Sequence, residues 1–256
     1  MRFISVIIFS FYVFFLAGCF LESENERESI TLGLTPKGMY SLAQQSVDGG
    51  ALEEAIRILE QLQAAYPSSK YSLQSKIDVA YYLFKRERYD ESIDKLNDYI
   101  KMYPDHFTSP YAYYLRGLVS ENKSKSILDE ILTDNAQRDV TSVKNAFNYY
   151  MQLIDKFPES KYSDEAKSKL IILRNALSRH ELFVAIFYTK NDAHIAAINR
   201  CKYIIEKFPN TPSVPAALHL IAHNYDKINM PKLAEDARRV LKASYPKYIP
   251  HYSLED

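Results

Sequence analysis

The sequence predicts an all-α fold built from repeated helix pairs. Only 6 Gly stand among 256 residues, against 21 Tyr and 13 Phe, so turn-forming residues are scarce and ring side chains plentiful. An aromatic-Pro pair also closes five successive amphipathic stretches: Tyr66-Pro67, Tyr103-Pro104, Phe157-Pro158, Phe208-Pro209 and Tyr245-Pro246, the prolines standing 37, 54, 51 and 37 residues apart. Lys+Arg and Asp+Glu number 32 each, so the net formal charge is zero and a nucleic-acid partner is not expected. A hydrophobic fraction of 47% excludes wholesale disorder, and the few glycines leave no material for a phosphate-cradling loop.

From the start of the chain, Arg2 precedes an apolar run from Phe3 to Leu16, then small residues and Cys19, the three-part layout of a signal peptide over residues 1–18. The run is too short for the roughly 20 residues that a membrane-crossing helix needs. Leu16-Ala17-Gly18-Cys19 resembles the lipobox of bacterial lipoproteins, which implies diacylglycerol and an N-acyl chain on Cys19 and no other cofactor. An ordinary signal peptide with a Cys beside its cleavage site is the alternative. Residues 19–34 read as the lipidated cysteine and a polar tether, Leu21 to Glu28 being LESENERE. With Cys19 modified, Cys201 has no disulfide partner, so the core must supply the stability.

Residues 35–246 carry the repeat. Met39, Leu42, Ala43, then Ala55, Leu59, Leu62 and Pro67 occupy the large, large, small and small, large, apolar, proline places of a tetratricopeptide repeat, with Gly49-Gly50 at the turn. Val79, Ala80, Leu83, Ser92, Leu96, Tyr99 and Pro104 repeat the pattern, as do Leu218, Ile221, Ala222, Tyr225, Ala234, Leu241 and Pro246. Small residues let paired helices approach, and proline stops the second helix because it has no N–H to donate. The expectation is a superhelix of five helix-turn-helix repeats, about 36–67, 71–104, 110–158, 163–209 and 213–246, followed by a tail, 247–256, with no assigned role.

The two long intervals have separate explanations. Gly117 and Ala146 hold the small positions of the third repeat 29 residues apart where the others have 12, which places a 17-residue insertion within Glu121 to Asp139. In the fourth repeat the extra residues lie upstream: Ser163 to Tyr188 contains neither Gly nor Pro, so an elongated first helix of about 26 residues is expected.

The lipobox, tether, 37-residue period and two elongations together resemble the BamD family of lipoproteins of the β-barrel assembly machinery. Local matches are Tyr66-Pro-Ser-Ser-Lys-Tyr71, Arg138-Asp139 ahead of Ala146-Phe147, Phe157-Pro-Glu-Ser-Lys-Tyr162, and Val184-Ala185 to Tyr188 followed by Asn199-Arg200. The resemblance implies a non-catalytic scaffold, lipid-anchored in the outer membrane and facing the periplasm. Its implied partners are a POTRA domain of BamA, other assembly-machinery lipoproteins and unfolded outer-membrane proteins. It also implies that Asn199 and Arg200 face BamA, a role a guanidinium fills through bidentate hydrogen bonds. A solvated helix charge is the alternative for Arg200.

By repeat position, Tyr40, Gln44, Tyr81, Lys85, Tyr111 and Tyr114 turn toward the concave side. Unfolded barrel proteins commonly end in an aromatic residue with a free carboxylate, so rings with a lysine suit a receptor for them. The tyrosines alternatively fill gaps between helices. A repeat lipoprotein that pilots secretin or pilus assembly, or coordinates envelope division, is the competing function. Catalytic chemistry is not legible: His219 and His223 lack the glutamate of a metalloprotease motif and a third ligand, and no metal site is expected. No Gly-x-Ser-x-Gly elbow occurs, and Cys201 occupies a packing position.

Overall fold

The computed structural model describes residues 33–131 and 140–252, with side chains through Ser124 and again from Val140. Ten helices and no strand occur among the described residues. The lipobox and Cys19 lie outside them. The chain packs as two compact units that divide between Arg86 and Glu87, inside the second expected repeat.

The first unit holds α1 (Pro36–Asp48), α2 (Leu52–Ala65) and α3 (Lys70–Lys85). Helix α1 starts where the Thr35 hydroxyl accepts from Gly38 N–H, with Pro36 at a position whose missing N–H costs nothing. It ends on Gly50, at φ +78°, which turns the chain so that Ala51 N–H reaches back to Ser46 O at 2.8 Å. Glu53 and Glu54 then sit at the positive end of α2. Met39, Ala43, Ile56, Leu59, Leu62, Val79 and Leu83 form the core.

The second unit holds α4 (Tyr89–Met102), α5 (Ser109–Ile131), α6 (Thr141–Lys156), α7 (Lys161–Lys190), α8 (His194–Lys207), α9 (Val214–Lys227) and α10 (Pro231–Ser244). Each packs on the next in sequence, α5 also on α7 and α7 also on α9. The small positions read from the sequence are all buried: Ala43 and Ala55, Ala80 and Ser92, Gly117 and Ala146, Ala185 and Ala197, Ala222 and Ala234. At Gly117 the approach is closest, since an added Cβ would stand 2.5 Å from the Tyr150 ring.

Helix ends repeat as closely as helix faces. Tyr66, Tyr103, Phe157, Phe208 and Tyr245 each cap a helix at φ between −125° and −136° and ψ between 49° and 61°, outside the helical region that a following proline disfavours. Ser72, Ser109 and Ser163, six residues further on, are buried and donate to the carbonyls of Tyr66, Tyr103 and Phe157. This lock closes the turn after the first three of these prolines, and the serine spacing announces it in the sequence. Asp192 and Asn229 take the left-handed turn conformation that Gly50 takes earlier, and Ala193 and Met230 N–H groups make the same backward bond, to Tyr188 O and Tyr225 O.

The elongated helix is longer than the 26 residues expected: α7 has 30, beginning at the Ser160 cap and ending at Asn191. Helix α5 runs on to Ile131, so the first part of the stretch assigned to the insertion is helical, and 132–139 lie outside the described residues.

Candidate functional site

In the first unit, α1 and α3 bring polar groups together on one face. Tyr40 hydroxyl donates to Asp78 Oδ2 at 2.8 Å and Gln74 Nε2 donates to Asp78 Oδ1 at 2.9 Å, so both carboxylate oxygens are engaged. Burial pushes the Asp78 carboxyl above the usual carboxylate range despite these bonds, and burial together with Asp78 raises the Tyr40 phenol. Gln44 Nε2 donates to Tyr82 hydroxyl at 3.3 Å, and the Tyr40 ring packs against Tyr71 at 5.5 Å. Tyr81 and Lys85 are both exposed, Tyr81 touching Tyr82 and Phe84 edge-on.

The second unit repeats the device on a larger scale. Tyr114 hydroxyl donates to Glu165 Oε1 at 2.5 Å, and its ring stacks on Tyr162 at 5.2 Å, which also meets Tyr111 at 5.4 Å. Beneath it, Tyr150 hydroxyl and Lys169 Nζ converge on Glu121 Oε2 at 3.0 and 2.9 Å. Burial raises the phenols of Tyr114 and Tyr150, the neighbouring carboxylates adding to it. Tyr114 is therefore buried with its hydroxyl spent, while Tyr111 is half-buried. Tyr71 and Tyr162, which close the two matching Ser-Lys-Tyr motifs, supply the packing ring in each unit.

Arg200 lies on α8 with its Nη1 3.0 Å from Glu181 Oε2 of α7. The arginine side chain is 45% exposed and the glutamate side chain 7%. A buried carboxylate thus fixes one end of a guanidinium that keeps further donors on its exposed part. Asn199 beside it is exposed, with exposed Ile195 and Tyr203 four residues to either side. Sequence reasoning missed Glu181, although an acidic residue on the α7 face that carries buried Leu177, Ser178 and Ala185 is a signal.

Arg116 was also not singled out by the sequence. It is buried between the rings of Tyr113 and Tyr149, at 5.1 and 4.1 Å, and donates to Asn97 Oδ1 and Gln152 Oε1, pinning α4, α5 and α6 together. Burial lowers its pKa. The His219 ring meets Tyr248 and Tyr252 of the tail, with Nδ1 2.9 Å from the Tyr252 hydroxyl. Burial lowers both His219 and His223. Burial also pushes the Cys201 thiol up to about 12, far from a reactive thiolate. Among the described residues no cluster of His, Cys, Asp and Glu could hold a metal ion, and no helix is long and apolar enough to cross a membrane.

Comparison with known proteins adds a family signal. The sequence model of YfiO, described as an outer membrane lipoprotein, matches residues 33–241. The outer membrane protein assembly factor BamD of Neisseria gonorrhoeae is 32% identical over 91% of this chain and 88% of its own length. That of Xylella fastidiosa is 28% identical over 91% of this chain and 79% of its own. Among solved structures, a tetratricopeptide repeat protein from Parabacteroides merdae is 13% identical, with a TM-score of 0.43 covering 84% of this chain and 80% of that one.

Proposed function

Since this chain belongs to the BamD (YfiO) family of outer-membrane lipoproteins, we propose that it acts in outer-membrane protein assembly as a non-catalytic adaptor. Acyl chains on Cys19 hold it to the periplasmic face of the outer membrane, since stable anchoring needs more than one chain. The face around Asn199 and Arg200 docks a POTRA domain of BamA, and other lipoproteins of the machinery share the scaffold. The tyrosine-lined faces receive unfolded outer-membrane proteins: Tyr40, Gln44, Tyr81 and Lys85 in the first unit, and in the second Tyr111, with the buried Tyr114 packed behind it.

The observation that carries this reading is the Arg200–Glu181 pair. A guanidinium held from behind by a buried carboxylate loses little freedom when a second acceptor arrives in front of it, so ordering costs less on docking. The test is calorimetric titration of the intact chain in detergent with the membrane-proximal POTRA domain of BamA from the same cell. Arg200→Glu is expected to weaken binding at least tenfold, about 1.4 kcal/mol. Helicity and melting are compared first, because the new carboxylate faces Glu181. Unchanged affinity in a folded variant refutes the docking assignment.

A further inference from the structure

Helix α7 has two faces with opposite chemistry. Its three carboxylates are spent on internal partners: Asp164 on Lys167, Glu165 on Tyr114 and Lys169, Glu181 on Arg200. Turned away from Glu181, Ile172, Ala176, Arg179, Phe183, Phe187 and Lys190 follow one another at steps of three and four residues. These steps form one stripe, roughly 27 Å long at 1.5 Å per residue. Ile172 is 69% exposed, Phe183 46% and Phe187 44%, and the small Ala176 between them is half-buried. Arg179 and Lys190 are exposed, and neither has an acidic partner among the described residues.

Large apolar side chains aligned along one exposed row are what a partner covers. Their spacing selects the kind of partner. Ile172 and Arg179, and in parallel Ala176, Phe183 and Lys190, recur at intervals of seven, the register of a helix-on-helix seam. The alanine suits such a seam, because the distance between packed helices is set by the side chains at the contact and a methyl group lets a second helix settle between Ile172 and Phe183. An extended strand presents side chains alternately to opposite faces, about 6.7 Å apart on one side, and does not keep step with this row. The charge selects further: from Ile172 to Lys190 the row carries two cations and no carboxylate, while Glu165, one heptad earlier, is held by Tyr114 and Lys169, so a covering segment with its own carboxylates is favoured and a basic one is repelled.

We propose that the outward stripe of α7 is a docking site for an acidic amphipathic helix of a partner protein. Its apolar side chains lie against Ile172, Phe183 and Phe187, and its carboxylates lie opposite Arg179 and Lys190. This is a surface beyond the one assigned to Arg200, which lies on the other side of the same helix and is held there by Glu181.

The test titrates the intact lipoprotein in detergent, by fluorescence anisotropy, with three labelled peptides. The first is an amphipathic helix of about three heptads with Leu in the seam and Glu beside it. The second has Lys in place of Glu, and the third is an extended peptide ending in Phe with a free carboxylate. The acidic helix is expected to bind at least tenfold tighter than the basic one. Phe183→Ser with Phe187→Ser should abolish that binding, and Arg179→Glu should reverse the preference. Arg179 is exposed and makes no ion pair among the described residues, so its variant keeps the test decisive if the double serine variant misfolds. Equal affinity for the two helices overturns the proposal. So does tighter binding of the extended peptide at the stripe, or a self-association that the serine variant removes, which would assign the face to a second copy.

Discussion

Gly117→Ala should destabilise this chain although it replaces a poor helix former with the best one. In an exposed helix the exchange gains about 1 kcal/mol. Here the new Cβ would stand 2.5, 2.7 and 2.9 Å from three atoms of the Tyr150 ring, contacts that packed atoms do not tolerate. The ring cannot swing aside freely, because Tyr150 is fully buried and its hydroxyl is held by Glu121, which Lys169 also binds. Overpacking of this kind costs about 1–3 kcal/mol, and the site's rigidity argues for the upper end. Losing the hydroxyl bond adds about 1 kcal/mol. Subtracting the propensity gain leaves a net loss of about 3 kcal/mol. For a chain of this size that is a fall in melting temperature of roughly 6–12 °C, read by circular dichroism. The same substitution in a Tyr150→Leu background should cost almost nothing or stabilise. A Gly117→Ala chain that melts at or above the parent, or one whose cost persists without the ring, would refute the close-approach account.

Arg200→Ala should lower stability, because it strands the buried Glu181 carboxylate. With the arginine half-exposed and partly screened, the loss is about 1–2 kcal/mol, and adding Glu181→Gln should restore most of it in denaturant melts. His219 and His223 are held below their unfolded pKa by burial, so they favour the folded state above about pH 6.5 and that contribution disappears as pH falls through their folded values. The melting temperature should accordingly drop as the pH is lowered from neutral into the acid range. The double variant His219→Gln with His223→Gln should flatten the slope, and an unchanged slope would locate the pH dependence elsewhere.

What the sequence made legible depended on whether the signal was local. The small positions stood out because Ala43, Ala80, Ala185 and Ala222 each precede a second small residue by 12, and the structure buries every one. The aromatic-Pro ends were equally plain, since proline restricts its predecessor's backbone whatever surrounds it. Left-handed turn residues were legible where glycine marked them: Gly50 was visible, while Asp192 and Asn229, in the same conformation, were not. The pairs that build the candidate sites join residues 19, 38 and 51 positions apart, as in Arg200–Glu181, Tyr40–Asp78 and Tyr114–Glu165, and no local pattern encodes which carboxylate a tyrosine or arginine will meet.

Helix α7 shows why a site can hide inside a well-read element. Its length was readable from the missing Gly and Pro, yet its two faces were not, because apolar residues occur all the way round it: Leu173, Leu177 and Ala185 inward, Ile172, Phe183 and Phe187 outward. A helix buried on all sides reads the same way in sequence. Charge separates the two cases. Every carboxylate of α7 has a partner within the second unit, whereas Arg179 and Lys190 stand in the exposed row with no acidic partner among the described residues. A helix meant for complete burial in its own chain would not place two uncompensated cations among its outward rings, because each buried charge without a partner costs several kcal/mol. A helix that meets a partner gains from them, since they reject basic segments and align acidic ones. The outward row is thereby distinguished from core by its cations, and from ordinary surface by its rings.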